Sequence, residues 1–362
     1  MVSYVRVSPN MQNLSHGMEL TFIPKRPHSK WQEWRNQQRA QQETDLFNAT
    51  LWNTDALARL SLSEGLFPVE KLIWGKADIF RSKKLSSDKQ PHDSWCLEVN
   101  NEPFKSNDIV TPGTAVYQAL EWVFKVAKGQ GLFPCVARKR KDGTLVEFPN
   151  GGGHQHVQID FWEEGGSFLS KLYILERRLC LDFANNPWLR WFFAQWSDNL
   201  NSTIAIGLTD LSEISKATHN ITKKQRKEWE RNGLDSYIHD RGLLCHSIKQ
   251  RIAYTGKPVR PTMEFRFLDM PRSVEELALH TQFISSWVGH HIDAVDEWGK
   301  GDFPMTHFDL TPKRFNRLTK DMGFVKGEIW RFLGEIGLDA KPYLDAFWER
   351  GYERRFRFGK FL

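Results

Sequence analysis

Apolar and polar residues alternate with a period of two in four separate stretches of the chain, the mark of strands with one buried face. In Met18-Glu-Leu-Thr-Phe-Ile23 the side chains of Met18, Leu20 and Phe22 fall on one face and those of Glu19 and Thr21 on the other, and Pro24 ends the run. Ser94-Trp-Cys-Leu-Glu-Val99 sets Glu98 opposite Leu97 and Val99, ahead of a turn at Asn100-Asn-Glu-Pro103. Asn150-Gly-Gly-Gly-His-Gln-His-Val-Gln-Ile-Asp-Phe161 leaves its glycines with His154, His156, Gln158 and Asp160 on one side and Val157, Ile159 and Phe161 on the other. In Pro261-Thr-Met-Glu-Phe-Arg-Phe-Leu268, Glu264 and Arg266 oppose Met263, Phe265 and Phe267.

Between these strands the period changes to that of a helix. Val116, Leu120, Val123, Phe124 and Ala127 predict an amphipathic helix over 114–128 that ends near Gly129. Phe168, Leu172, Leu175 and Leu179 predict another over 167–183, stopped by Asn185-Asn-Pro187, and the aromatic run from Trp188 to Trp196 reads as buried helix. Ser273 and Glu276 form an S-x-x-E capping box before a stripe of Leu277, His280, Phe283, Ile284 and Trp287. Residues 25–50 read as a surface helix or ordered loop. Asp142-Gly143 marks a hairpin turn, 214–235 a charged exposed excursion, and 301–362 a mainly helical end with a basic tail.

Composition narrows the class. An apolar content of 40% with 26% charged residues is that of a globular protein, and 362 residues suffice for a substantial core. The 15 Trp and 25 Phe are core payload first. A net charge of +6, from 50 basic and 44 acidic residues, is modest for this length; it argues against nucleic acid as the partner and suits anionic small substrates. Cys96, Cys135, Cys180 and Cys245 are scattered without a C-x-x-C pair, as expected of buried thiols in a reducing compartment. No signal-type start and no run long enough to span a bilayer is visible, so a cytoplasmic protein without membrane contact is expected.

The polar faces of the four strands carry Glu19; Glu98; His154 with His156; and Glu264 with Arg266. Were these strands neighbours in one sheet, the faces would line up as a surface of carboxylates and imidazoles that needs positive charge to stay ionised. Divalent metals and Arg266 would supply it. Mostly oxygen ligands with a histidine suit Mg²⁺ or Mn²⁺, and such sites usually hold a nucleotide triphosphate.

Gly17-Met-Glu-Leu-Thr-Phe22, Leu97-Glu-Val-Asn-Asn-Glu-Pro103, Gly152-Gly-His-Gln-His156 and Thr262-Met-Glu-Phe-Arg266 follow one another in an order that resembles the glutamine-synthetase-like carboxylate–amine ligases, the amidoligase group, some of whose members occur in phage genomes. The resemblance spans residues 15–295 and implies an α+β fold: a curved, mostly antiparallel sheet backed by helices, with a catalytic domain over 1–300 and a helical extension over 301–362 packed on it. It implies ATP and Mg²⁺ or Mn²⁺ as cofactors. The products would be amides, formed from a small-molecule or peptide carboxylate and an amine through an acyl phosphate. Carried over by position, Glu19, Glu98, His154 and Glu264 would bind metal, with Glu102 a further candidate past its strand end. Arg266 and Glu264 would serve catalysis, and Arg241 would contact a phosphate or carboxylate beside Arg266. His156 would face nucleotide or substrate, with Gly152 and Gly153 making room. The chain departs from the family at Thr21, where a second glutamate is common, and threonine brings no second charge.

Other readings of the same residues stand beside this one. Glu264 and Arg266 also fit a same-face ion pair, and the two histidines a hydrogen-bonded pair on an open sheet face. A catalytically degenerate member acting as a binding or structural component, as in a phage particle, fits Thr21 and the basic tail, which would dock a protein partner; a phage origin would place it in the host cytoplasm or the virion. A cupin-type H-x-H metalloenzyme would use His154 and His156 on one transition metal with Asp160, and lacks an obvious later histidine.

Overall fold

One long strand, β1 (Leu14–Pro24), forms the axis of the sheet. Its flank toward β3 (Ser94–Asn100) pairs antiparallel through residues 19–22, and β3 in turn pairs β2 (Lys71–Gly75). On its other flank β1 pairs over residues 14–20 with β8 (Gly153–Ile159), followed by β10 (Met263–Phe265) and β9 (Leu243–Cys245). The order is β2-β3-β1-β8-β10-β9, and β4 (Phe104–Lys105) and β5 (Leu132–Pro134) attach to β1 at its two ends. A separate two-stranded ribbon, β6 (Arg138–Lys139) with β7 (Leu145–Val146), flanks the expected Asp142-Gly143 turn. The computed structural model describes residues 14–24, 42, 45–51, 71–75, 94–101, 103–134, 138–139, 145–146, 153–159, 243–245, 262–265, 268–298 and 322–348, with single positions between 171 and 193. The charged stretch 214–235, the basic tail and most of the Trp188–Trp196 run lie outside the described residues.

Helices cover one face of this antiparallel sheet, which makes the fold α+β. They are α1 (Ser106–Val110), α2 (Ala115–Gly129), α3 (Val274–Trp298) and α4 (Met322–Glu335), with a further helical segment at 340–348. Thr114 caps α2 by accepting a bond from the Tyr117 N–H at 3.1 Å. The capping box of α3 forms in a shifted version: the Glu276 N–H donates to Ser273 Oγ at 3.4 Å, while the Glu276 carboxylate accepts from the Arg272 N–H at 2.7 Å.

The period-two pattern sorts the sheet as expected. Met18, Leu20 and Phe22 are buried with Val99, the inner face of α2 and the first turn of α3, at Val274 and Leu277. Leu14, Val157, Ile159, Met263 and Phe265 belong to a second apolar cluster, built against Phe283, Ile284 and Trp287 of α3, against α4, and against Tyr343 and Phe347. Strand β1 begins four residues earlier than the alternation suggests, at Leu14, and brings His16 onto the core face between the two clusters.

His16 and Gln155, both fully buried, form a polar seam between those clusters. His16 Nδ1 donates to Gln155 Oε1 at 3.1 Å, and its Nε2 meets the Ser285 hydroxyl at 2.9 Å. Thr281 Oγ1 also donates to Gln155 Oε1, and Ser285 Oγ lies 2.9 Å from Ser106 Oγ of α1. These shared bonds fix the rotation of α3 over β1 and β8. Farther along α3, Asp182 Oδ2 accepts from Trp287 Nε1 at 2.9 Å and pairs with His291, tying Asp182 to α3. No helix among the described residues is long and apolar enough to cross a membrane.

After β10 the chain crosses the head of β8. The Gly153 N–H donates to the Leu268 carbonyl at 3.2 Å, and a Cβ at Gly153 would stand 2.6 Å from Pro271 Cδ and 2.7 Å from the Asp269 carbonyl oxygen. Neither neighbour is a flexible side-chain end that can swing away. Gly153→Ala is therefore expected to destabilise the fold by about 1–3 kcal/mol. Gly327→Ala in α4, with nothing within 4 Å of the new methyl, should be neutral or stabilising by up to about 1 kcal/mol. Urea unfolding of the two variants beside the parent protein measures both.

Candidate metal centre

Register places the chemistry. Glu19 of β1 lies opposite His154 of β8, Gly17 lies opposite His156, and Glu264 of β10 is also opposite His156. Directly opposed residues of antiparallel strands share a face, so three neighbouring strands deliver two carboxylates and two imidazoles to the face away from the helices. Gly17 adds no side chain over His156.

The side chains converge. His154 Nδ1 is 3.1 Å from Glu19 Oε2 and 3.6 Å from Glu264 Oε1. His156 Nε2 is 3.1 Å from Glu19 Oε1 and 3.9 Å from the same Glu264 oxygen. Glu19 thus accepts one bond from each histidine, one per oxygen. Glu264 is buried, at 1% exposure, while Glu19 and the histidines are half-buried. Thr262 Oγ1 lies 3.4 Å from His156 Nδ1, and a hydroxyl both donates and accepts, so it suits either tautomer of that ring.

Burial alone would push the Glu19 carboxyl up. The hydrogen bonds from His154 and His156, with the charges of the two rings, outweigh it and hold Glu19 well below its ordinary value of 4.5. The cluster therefore keeps an ionised carboxylate at neutral pH, as a cation site requires. One donor atom each from Glu19, His156 and Glu264 lie within 4.8 Å of one another, a spacing a single ion can bridge. Residues of this type and spacing fit a divalent metal.

Glu98 sits opposite Thr21 in the β1–β3 register, two pairs along from Glu19, which faces Asn100, and so has the same face parity as Glu19. Thr21 is itself buried, and its N–H points at Met270 Sδ, 3.3 Å away. At Gly153 the space left by the missing side chain is taken by the chain's own 268–271 segment. Glu102, Gly152, Asp160, Arg241 and Arg266 lie outside the described residues. Sequence reasoning passed over Thr262, which precedes the alternating positions of β10, and the seam pair His16 and Gln155. The signal for the seam was available: His16 and Gln155 hold core-face parity with Leu14, Met18 and Val157.

No protein-family model matches the chain, and no curated protein does. Among solved structures, the crystal structure of a novel glutamine synthase homolog aligns with 95% of this chain and 67% of its own, at 16% identity and a TM-score of 0.42. A likeness that distant carries no weight in assigning the site.

Two predictions follow from the geometry. Folding favours the ionised form of Glu19, so its stabilising contribution is complete above the unfolded carboxylate value of 4.5 and is lost as pH falls through the lower folded value. In metal-free protein the melting temperature of Glu19→Gln should lie below that of the parent near neutral pH, and the gap should close as pH falls below 4.5 through the depressed folded value. Thr262→Val removes the outer partner of His156 and should weaken divalent-metal binding roughly 10-fold, with Thr262→Ser restoring it; calorimetric titration reads the difference.

Proposed function

We propose that the chain is an ATP-dependent carboxylate–amine ligase of the glutamine-synthetase-like kind, acting on a small-molecule or peptide carboxylate and an amine. The observation that carries this reading is the convergence of Glu19, His154, His156 and Glu264 from three adjacent antiparallel strands onto one face. These are the residues, in the chain order, on which the resemblance of the sequence rests. They also leave an anionic, partly desolvated cluster with imidazole ligands, which suits a metal–nucleotide complex.

A divalent ion held there, Mg²⁺ or Mn²⁺, would neutralise phosphate charge in phosphoryl transfer. The chain's own groups do the positioning. Glu19 and Glu264 approach from strands on either side of the two histidines and fix where the charge sits. Arg266 follows Glu264 at the same strand parity, and its planar, permanently charged head suits the oxygens of a transferring phosphoryl group. Arg241 is assigned a second phosphate or carboxylate contact. In the first step a substrate carboxylate oxygen bonds to the γ-phosphorus of ATP as the bond to ADP breaks. In the second, the amine bonds to the acyl carbon, the carbon–oxygen bond to phosphate breaks, and the amine loses a proton.

The test is ATP binding by the purified protein with Mg²⁺ or Mn²⁺, followed by phosphate release across a panel of amino acids, peptides and amines. Saturable binding and acid-dependent phosphate release are expected. Glu264→Gln, close to isosteric, should lower that release by roughly 100-fold or more with the fold retained by circular dichroism. Absence of ATP binding with either cation overturns the reading.

A further inference from the structure

Among the described residues, two of the three large apolar side chains most open to solvent stand on the outward side of α4: Phe324, 50% exposed, and Trp330, 48% exposed. We propose that this face joins two copies of the chain as an antiparallel helix pair about a two-fold axis, with Trp330 of each copy seated over Gly327 of the other. The inference is independent of the ligase reading.

The make-up of the helix points to a partner that comes close. Val325, Ile329, Phe332 and Leu333 turn to the core, and the opposite side presents Gly323, Gly327 and Gly334 beside the two aromatics. A Cβ at Gly327 or Gly334 would meet nothing within 4 Å, and neither residue has positive φ, so the described fold makes no demand for glycine there. Glycine is nonetheless the least favourable helix residue after proline. A second helix crossing close over bare backbone, with an aromatic ring filling the gap, gives those positions a use.

The spacing fits a second copy. Gly323, Gly327, Trp330 and Gly334 follow one another at intervals of four, three and four residues, the same read from either end. An antiparallel copy related by an axis between Glu328 and Ile329 therefore places each Trp330 over the facing Gly327, and each Gly323 against the facing Gly334. A two-fold contact requires this kind of self-complementarity. Charge agrees with it. Lys326, Glu328, Arg331 and Glu335 cancel within α4, so two chains of net charge +6 can meet along this helix without repulsion. Arg331 is held by Glu328 and Glu335 at 2.9 and 2.6 Å. In the pair it comes beside Phe324 of the second copy, where a guanidinium can stack on the ring. The 14 residues of α4 span only roughly 20 Å, a contact at the low end of specific interfaces, so the association is weak and concentration-dependent.

Sedimentation of the full chain between about 1 and 100 µM tests this, with a monomer–dimer equilibrium expected at a dissociation constant on the order of 10 µM. Trp330→Ala, which removes the knob, and Gly327→Leu, which fills the gap, should each weaken the dimer at least about 10-fold. Both positions face solvent, so circular dichroism should show the fold retained. The parent decides even if a variant misfolds: hydrogen exchange in α4 should slow several-fold from the lower concentration to the higher. A parent that stays monomeric throughout, whatever other protein it captures, overturns the proposal. So does assembly beyond a dimer, a dimer with unchanged exchange in α4, or one indifferent to both substitutions.

Discussion

The site depends on the register between β1 and β8. Seven consecutive pairs fix it, from Leu14 with Ile159 to Leu20 with Gly153. A slip of β8 by one residue would turn His154 and His156 into the core and bring Gln155 out beside Glu19. Two features on the helix side of β8 resist that slip. On the helix side, Gln155 is held by His16 and Thr281. At the strand head, the crossing of residues 268–271 leaves no room for a Cβ at Gly153, so a slip that put His154 there would clash. The polar seam and the cluster of histidines and glutamates are thus two sides of one alignment.

Electrostatics in the cluster centre on the ionised Glu19 carboxylate. Glu19 gives one oxygen to each imidazole, and that sharing offsets the cost of burying a carboxylate. Every group in the arrangement is a ligand type, so a cation held there would take the place of the hydrogens that bridge them. Thr262 fits both conditions because its hydroxyl can face a protonated or an unprotonated Nδ1 of His156.

Much of this was legible in the sequence, and for a physical reason. A half-buried strand writes its two faces into alternate positions, so Glu19, His154, His156 and Glu264 could be assigned to polar faces, and Met18, Leu20, Phe22, Val157 and Ile159 to the core, before any coordinates. The helix starting after Ser273 was equally readable, while the α+β class came from the resemblance. The short edge strands β2 and β9 were not, because five and three residues give too little pattern. His16 was lost because a polar residue at core parity looks like the end of a strand, unless its buried partners on distant segments are known. The division of labour between the histidines, with His154 on metal and His156 on nucleotide, rested on the resemblance; spacing sets the face a ring occupies but leaves its rotation open. In the structure both rings reach Glu19 and Glu264, and the donor atom differs, Nδ1 in one and Nε2 in the other.

The cluster draws its members from far apart along the chain: Glu19 near the start, the histidines in the middle and Glu264 well into the second half. No local hairpin contains it, since β1 and β8 are 137 residues apart at the Glu19–His156 contact. Loop closure on that scale costs more entropy than forming a local helix such as α2. An ion that needs all these strands at once has nothing to grip in a half-folded chain. Its binding energy would be added wholly to the finished fold, slowing its unfolding while leaving the speed of its formation almost untouched.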